Sequence, residues 1–387
     1  MINAQSKPNV FVVDTPFQLL NAIEAAKSLA LANNHLVVIK YPGLNQSAFR
    51  PLIKTEDWVS VIFLSLEIDG KSKAPEFLCS PMVRKWHSRL LHLKQRRKFT
   101  RICKSFRQAG NLFLGHYWIQ YKYYMRHFAN NLNHEKLYLL DDGTDTMDIN
   151  KRRKCIDLSL DPAHEHQSKP EGSILAKFKG YIRKRYWDWN LQEAESVTFF
   201  TTYGLEVRTG DHLVKNDYRY LKSLAINSTA INEVCFLGGC FFEDNFMKEE
   251  IYLEHLRKMK AYFEKEKIVY VPHPRQSAHM IETIASSLGF EIKQFGVPIE
   301  VAIVTGGYLP KVLASFTSSA LESCVNILGQ SLKIICFRIA SEHLLKGRGE
   351  IAAVYEHFNN KVNLNFTIIP LEISQPDLTI PSRVVMS

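Results

Sequence analysis

The sequence predicts an α/β chain of two successive Rossmann-like domains that face one another across a cleft. Three observations carry this. Apolar runs rich in β-branched residues alternate with helical stretches, the pattern of a largely parallel sheet. That alternation breaks at one polar stretch, "EVRTGDHLVKNDYRYLKSLAINSTA", and then restarts. The 387 residues are many for one core and comfortable for two. The first domain is placed at 1–205, a connection at 206–232 and the second domain at 233–387.

"NVFVVD" (Asn9–Asp14) reads as a buried strand, and "TPFQLLNAIEAAKSLALA" as the helix after it. Asp14 or Thr15 can cap that helix, and Pro16 suits its first turn. "HLVVIKY", "VSVIFLSL" and "KLYLLDDG" are further strands, and 84–107 is a basic amphipathic helical stretch. "VTFFTTYG" reads as the last strand of the first half. The second half opens with the strand "EVCFLGG" and a long helix from about Phe246 to Lys265. The strand "KIVYVPHP" and the helix "MIETIASSLGF" follow, then the apolar runs "IEVAIVTGG" and "KVLASFTSS". The helix "ALESCVNILG" and the strand "LKIICFRIA" complete the pattern.

The net charge of +10 points to anionic partners: a phosphate-bearing ligand, a membrane surface or a nucleic acid. Seven scattered cysteines without a CxxC pair argue against a zinc site or a disulfide framework, and for reduced thiols in the cytoplasm. We expect no signal peptide and no membrane span, since no window reaches roughly 18 uninterrupted apolar residues.

Four constellations can carry chemistry. In "PHPRQS", His273 stands just past a strand end, where ligands of open α/β sheets bind. Pro272 and Pro274 fix the backbone, an imidazolium at His273 would stabilise or protonate a leaving phosphate, and Arg275 adds a fork of donors. The same composition also makes a rigid surface turn. In "LYLLDDGTDTMD", Asp141 and Asp142 raise one another's pKa toward that of a useful base, and Gly143 permits a tight turn. A plain solvated turn has the same letters, and Asp142, Asp145 and Asp148 at intervals of three are weak evidence for a metal. In "VLASFTSSALESC", Thr317, Ser318 and Ser319 open a helix whose free N–H groups suit phosphate; ordinary N-capping by Ser318 or Ser319 is compatible with that role. In "CFLGGCFFED", Gly238 and Gly239 permit close approach of a nucleotide, and Glu243 and Asp244 are the next acids. The basic, aromatic segments "RKWHSRLLHLKQRRKF" and "KFKGYIRKRYWDW" read as membrane or nucleic-acid surfaces, or as solvated helix faces; the second, with Trp187 and Trp189, leans toward a membrane interface.

Together, "DTPFQ", "DDGT", "PHPRQ" and "FTSSA" resemble the motifs of the bacterial sialyltransferases, most closely glycosyltransferase family 52, the lipooligosaccharide sialyltransferases, with kinship to the bacterial polysialyltransferases. The resemblance runs from about residue 10 to 340. It implies a GT-B fold, a CMP-sialic acid donor, metal-independent inverting transfer and no cofactor. His273 would contact the donor phosphate and assist departure of CMP, with Pro274 and Arg275 beside it. Thr317, Ser318 and Ser319 would hold the phosphate, and Gly238 and Gly239 would pass close to the nucleotide. Thr15, Gln18 and Gly143 would lie on the acceptor side.

The base falls either to Asp141 or Asp142 of the DDG turn, or to Glu243, which matches the family 52 position only with a small shift. The implied partners are a CMP-activated nonulosonic acid (sialic, or else pseudaminic or legionaminic acid) and a lipooligosaccharide or capsule-type acceptor at the inner membrane surface. Nucleic acid is not expected. The reading from another class is a non-catalytic protein binding polyanions or membranes through its basic helices.

Overall fold

β1 (Asn9–Val13) is buried along its whole length, and it is flanked on both sides by parallel neighbours, β2 (Asn34–Lys40) and β4 (Ala109–Leu114). A strand covered on both faces has no need to alternate, which is why "NVFVV" reads as a continuous apolar run. The structure, a computed structural model, describes residues 6–40, 48–66, 81–117, 119–143, 145–155, 189–225, 229–362 and 365–371. Two units emerge: Met1–Ile226 with Gly296–Val304, and Asn227–Phe295 with Thr305–Ser387.

The first unit adds β3 (Ser60–Ser65), β5 (His134–Leu140), β6 (Thr198–Thr201) and β7 (His212–Lys215) to a parallel sheet of order β3-β2-β1-β4-β5-β6-β7. Its described helices are α1 (Pro16–Ser28), α2 (Pro81–Ser105), α3 (Ile119–Asn131), α4 (Asp145–Cys155) and α5 (Arg219–Ala225). Register and packing agree across the centre. Phe11 pairs with Phe113 and Phe113 with Tyr138, so their rings share one face of the sheet and stack at centroid distances of 4.3 and 4.5 Å.

The second unit contains β8 (Thr229–Leu237), α6 (Glu249–Tyr262), β9 (Ile268–Val271), α7 (Ala278–Leu288) and β10 (Glu291–Ile292). After α8 (Ile299–Gly306), whose residues through Val304 group with the first unit, come β11 (Tyr308–Ser315), α9 (Ala320–Leu328), β12 (Lys333–Arg338), α10 (Arg348–Asn359) and β13 (Phe366–Pro370). The sheet order β10-β9-β8-β11-β12-β13 is again parallel. Renumbered within the unit it is 3-2-1-4-5-6, the same order that the first sheet follows before adding β7. The chain therefore has the two-Rossmann architecture of a GT-B fold.

Two sequence expectations need correction. The stretch 206–232 is not a bare connection. It holds β7, an edge strand whose side chains are mostly exposed, and α5. Both are tied to the first unit by buried polar groups of α1: Glu24 accepts from the N–H groups of Tyr220 and Leu221 at 3.0 and 2.9 Å, and Asn216 donates to Asn21 at 3.2 Å. "VTFFTTYG" is accordingly not the last strand of its half. Trp189, one of the two tryptophans read as interfacial, is half-buried and packs edge-on against Phe99, Tyr123 and His127 at the core. The rest of "KFKGYIRKRYWDW", residues 177–188, lies outside the described residues. Among the described residues, no helix is long and apolar enough to cross a membrane.

Candidate functional site

Reactive side chains collect beyond the carboxyl ends of central strands in each unit. In a parallel sheet the strand order reverses at one point, and the loops diverging there leave a crevice for a ligand. The reversal falls between β1 and β4 in the first sheet and between β8 and β11 in the second.

In the first unit, β1 leads directly into Asp14, which is fully buried and accepts from the Tyr124 hydroxyl at 2.5 Å. Thr15 is the N-cap of α1, its hydroxyl accepting from Gln18 N–H at 3.1 Å, and Gln18 Oε1 turns back to accept from Asp14 N–H at 2.9 Å. This is a variant of the reciprocal Thr-x-x-Gln capping arrangement. Both residues assigned to the acceptor side therefore work on the helix start, and Gln18 is buried. Gly115, after β4, is required here: a Cβ on it would lie 2.0 Å from Gln18 Oε1.

β4 also delivers His116, which the sequence reading missed. Its Nε2 lies 3.7 Å from Asp142 Oδ2 and 3.4 Å from Asp145 Oδ2. The signal was there, a histidine immediately after an apolar run in "NLFLGH", the same signal that singled out His273. The DDG turn separates its two acids. Asp141 is buried, accepts from Thr202 N–H at 2.8 Å and through its carbonyl from Asn21 at 3.1 Å, and so joins the ends of β5 and β6 to α1. The Asp142 side chain keeps 13% exposure, and its N–H donates to Thr146 at 3.1 Å. Gly143 adopts φ +64°, the left-handed conformation its position predicted. The trio His116, Asp142 and Asp145, each with a ligand atom within 4.8 Å of the others, has the donors for a cation; Asp148, the third acid of the spacing pattern, is not part of it.

In the second unit, "PHPRQS" folds as a β-turn after β9. Pro274 follows His273, and Gln276 N–H donates to the His273 carbonyl at 2.9 Å. Proline lacks an N–H, so the next one, on Arg275, turns to the imidazole and donates to Nδ1 at 3.1 Å. The Cys240 thiol, from the loop after β8, lies 3.0 Å from the same nitrogen. Burial, followed by the Arg275 charge, lowers the pKa of His273. Both effects disfavour the imidazolium form, and an N–H aimed at Nδ1 leaves Nε2 as the place for the proton of the neutral ring.

The other expected donor-side groups are more committed than the sequence implied. Arg275 gives two donors to Asp244, at 2.9 Å each, with 65% of its side chain exposed. Glu243 Oε1 accepts from Ser277 N–H at 2.8 Å and Ser277 Oγ at 3.0 Å; Ser277 is itself the N-cap of α7. Gly238 has no room for a Cβ because the Tyr270 hydroxyl would stand 2.1 Å away. Gly239 N–H donates to Tyr252 Oη at 3.2 Å, and that hydroxyl contacts Tyr270, which in turn meets Gln276. These two glycines pack against a buried tyrosine network, and Gly239 is itself half-buried. At β11, Ser315 ties to the Leu237 carbonyl at 2.9 Å. Thr317, Ser318 and Ser319 are half-buried ahead of α9, with Ser318 Oγ accepting from Ala320 N–H at 3.3 Å and Ser319 making no side-chain cap.

Comparison with known proteins adds the following. The model of the alpha-2,8-polysialyltransferase (POLYST) family matches residues 9–322. No curated protein matches the sequence. Among solved structures, Acinetobacter baumannii MurG is 8% identical with a TM-score of 0.42, over 94% of this chain and 86% of that one. Arabidopsis thaliana UGT89C1 complexed with UDP is 11% identical with a TM-score of 0.46, over 96% and 87%. E. coli heptosyltransferase WaaC with ADP-2-deoxy-2-fluoro heptose is 12% identical with a TM-score of 0.41, over 92% and 100%.

Proposed function

This chain belongs to the alpha-2,8-polysialyltransferase family, and from that premise we propose that it moves sialic acid from CMP-sialic acid to a hydroxyl of a glycan acceptor, with inversion and without a metal ion. It is a glycosyltransferase. In an inverting displacement the acceptor hydroxyl loses its proton as its oxygen attacks the anomeric carbon. The bond to the phosphate oxygen breaks on the other side, and CMP carries away the electron pair.

The observation that carries this reading is His273 at the end of β9. Its Nδ1 accepts from Arg275 N–H, so the ring keeps a proton on Nε2 even when neutral. A fixed donor aimed at a phosphate gains strength as negative charge develops on the departing CMP, and this lowers the barrier more than it tightens ground-state binding. Ser318 and Ser319 would supply further hydroxyl contacts to that phosphate. CMP sugars carry a single phosphate, so there is no diphosphate for a metal to bridge.

For the base, the geometry favours Asp142. Its carboxylate lies 3.7 Å from His116 Nε2, the histidine that β4 delivers beside the DDG turn, and its side chain keeps 13% exposure. The acceptor best suited to a chain of net charge +10 is an anionic glycolipid or capsule-type glycan at the inner membrane surface, the lipooligosaccharide acceptors of family 52 among them.

The test is a donor screen. The purified chain is incubated with CMP-sialic acid, CMP-pseudaminic acid, CMP-legionaminic acid and UDP-sugars, and released nucleotide and modified glycan are measured. CMP release and transfer from CMP-sialic acid are expected. Turnover of a different CMP-nonulosonate alone would keep the mechanism and change the sugar. Turnover of UDP-sugars alone, or salt-sensitive polyanion binding with no CMP affinity, would overturn the reading.

A further inference from the structure

Within the second unit, His273 is approached at a single nitrogen from two directions. Arg275 N–H, on the turn after β9, donates to Nδ1 at 3.1 Å, and Cys240 Sγ, on the loop after β8, lies 3.0 Å from it. A backbone N–H cannot turn away, so Nδ1 has its lone pair directed at Arg275 and the neutral ring is the Nε2–H tautomer. Cys240 is buried, and burial pushes its thiol up to about 11. At neutral pH it therefore carries its proton, and the S–H is a donor to the same lone pair.

We propose that Cys240 is a positioning residue for His273: together with Arg275 N–H it fixes the rotation of the imidazole and holds it as the neutral Nε2–H tautomer. Protonating Nδ1 would set the new N–H against the Arg275 N–H and displace the thiol proton. Among the described residues, the charged groups that act on the ring are Arg275, Asp244 and Glu243, and Cys240 is a further titratable neighbour. The arrangement keeps a donor available to an anionic phosphate across the neutral range, where a Nδ1–H tautomer would turn a lone pair toward it. The catalytic consequence rests on the reading that His273 meets the donor phosphate; the tautomer itself does not.

The experiment uses the full chain labelled with 15N-histidine and long-range imidazole NMR spectra recorded through a pH titration without substrate. His273→Ala assigns the His273 signals among those of the 14 histidines. Wild type should show an unprotonated Nδ1 and a protonated Nε2, with a midpoint below the ordinary imidazole value. Cys240→Ala should shift the Nδ1 resonance and raise the midpoint, and should lower kcat about 2- to 10-fold, the scale of one hydrogen bond, with little change in KM. Cys240→Ser, which retains a donor, should restore both; a well-folded Ser variant also covers the case in which the Ala variant does not fold. A wild-type Nδ1–H tautomer, or a midpoint unmoved in folded Cys240→Ala, would overturn the inference. Adding CMP then tests the underlying reading separately: if Nε2 does not respond while the tautomer and its dependence on Cys240 hold, the phosphate contact fails and the positioning role stands.

Discussion

Asp244 holds Arg275 through both carboxylate oxygens, each 2.9 Å from a different guanidinium nitrogen. The cation of "PHPRQ" best suited to a phosphate is thus already matched to a carboxylate. Such an exposed pair contributes roughly 0.2–1 kcal/mol. Arg275→Gln should accordingly cost less than about tenfold in kcat/KM, and Asp244→Asn, by releasing the cation, should tighten CMP binding most at low salt. Calorimetric titration with CMP at two salt concentrations checks both. A hundredfold loss in Arg275→Gln would make Arg275 a direct phosphate ligand.

His273→Ala should lower kcat by about 100-fold or more, the scale of a lost proton donor. The turn survives this change because Gln276 N–H bonds to the backbone carbonyl of residue 273, not to the ring. Steady-state kinetics beside a thermal melt separates the two effects. A folded variant with near-normal turnover would remove His273 from the mechanism.

The rival bases differ in what each one holds in place. Asp142→Asn should abolish transfer in a folded protein. Asp141→Asn should instead cost about 1–3 kcal/mol of stability, because the buried Thr202 N–H loses a charged acceptor. Glu243→Gln keeps an oxygen for Ser277 and should leave most activity. Transfer assays at saturating acceptor, with denaturation midpoints, decide among them. Loss of activity only in Glu243→Gln would restore the family 52 arrangement and leave the DDG turn structural.

Two buried histidines set a pH dependence of stability. Burial takes the pKa of His127 and of His255 down to about 3, in the first and second unit respectively. Below about 6.5 the unfolded chain binds protons that the folded one refuses, so stability falls as pH falls, by up to about 1.4 kcal/mol per pH unit for each histidine. The stability is fully present above the unfolded value and is lost progressively toward pH 3. Urea midpoints between pH 7.5 and 5 should show this slope, and it should flatten in His127→Gln and His255→Gln variants. An unchanged slope in both would refute the assignment.

Activity should survive EDTA, because the departing group carries one phosphate. His116, Asp142 and Asp145 are where a contrary result would point, since their ligand atoms lie within 4.8 Å of one another. Complete loss in chelator, restored by magnesium or manganese and absent in Asp145→Asn, would make that trio a metal site.

What the sequence made legible was punctuation at strand ends. "DTPFQ", "DDGT" and "PHPRQ" follow long apolar runs, so periodicity and turn residues located them without knowledge of the packing. β4 and His116 escaped because "AGNLFLGH" is short and bracketed by glycines. β7 escaped because "HLVK" is an exposed edge strand with little apolar signal. The apolar run "IEVAIVTGG" has no type legible in its letters; it forms α8, and short apolar runs do not separate strand from helix by periodicity. Commitments were wholly illegible. That Gly239 N–H belongs to Tyr252, that Glu243 holds Ser277 at the start of α7, and that Cys240 meets His273 are contacts between residues distant in sequence.

Arg153 of α4 is buried among Asp211, which it grips at 2.8 Å through two nitrogens, and Glu193, which it shares with Arg126. Removing one member of such a group strands a buried charge, at about 3–5 kcal/mol. These contacts clamp the two flanks of residues 156–188, α4 on one side and the chain from Trp189 onward on the other, to the same sheet. Neutralising any one of Arg153, Asp211, Glu193 and Arg126 would therefore loosen both flanks together rather than one of them.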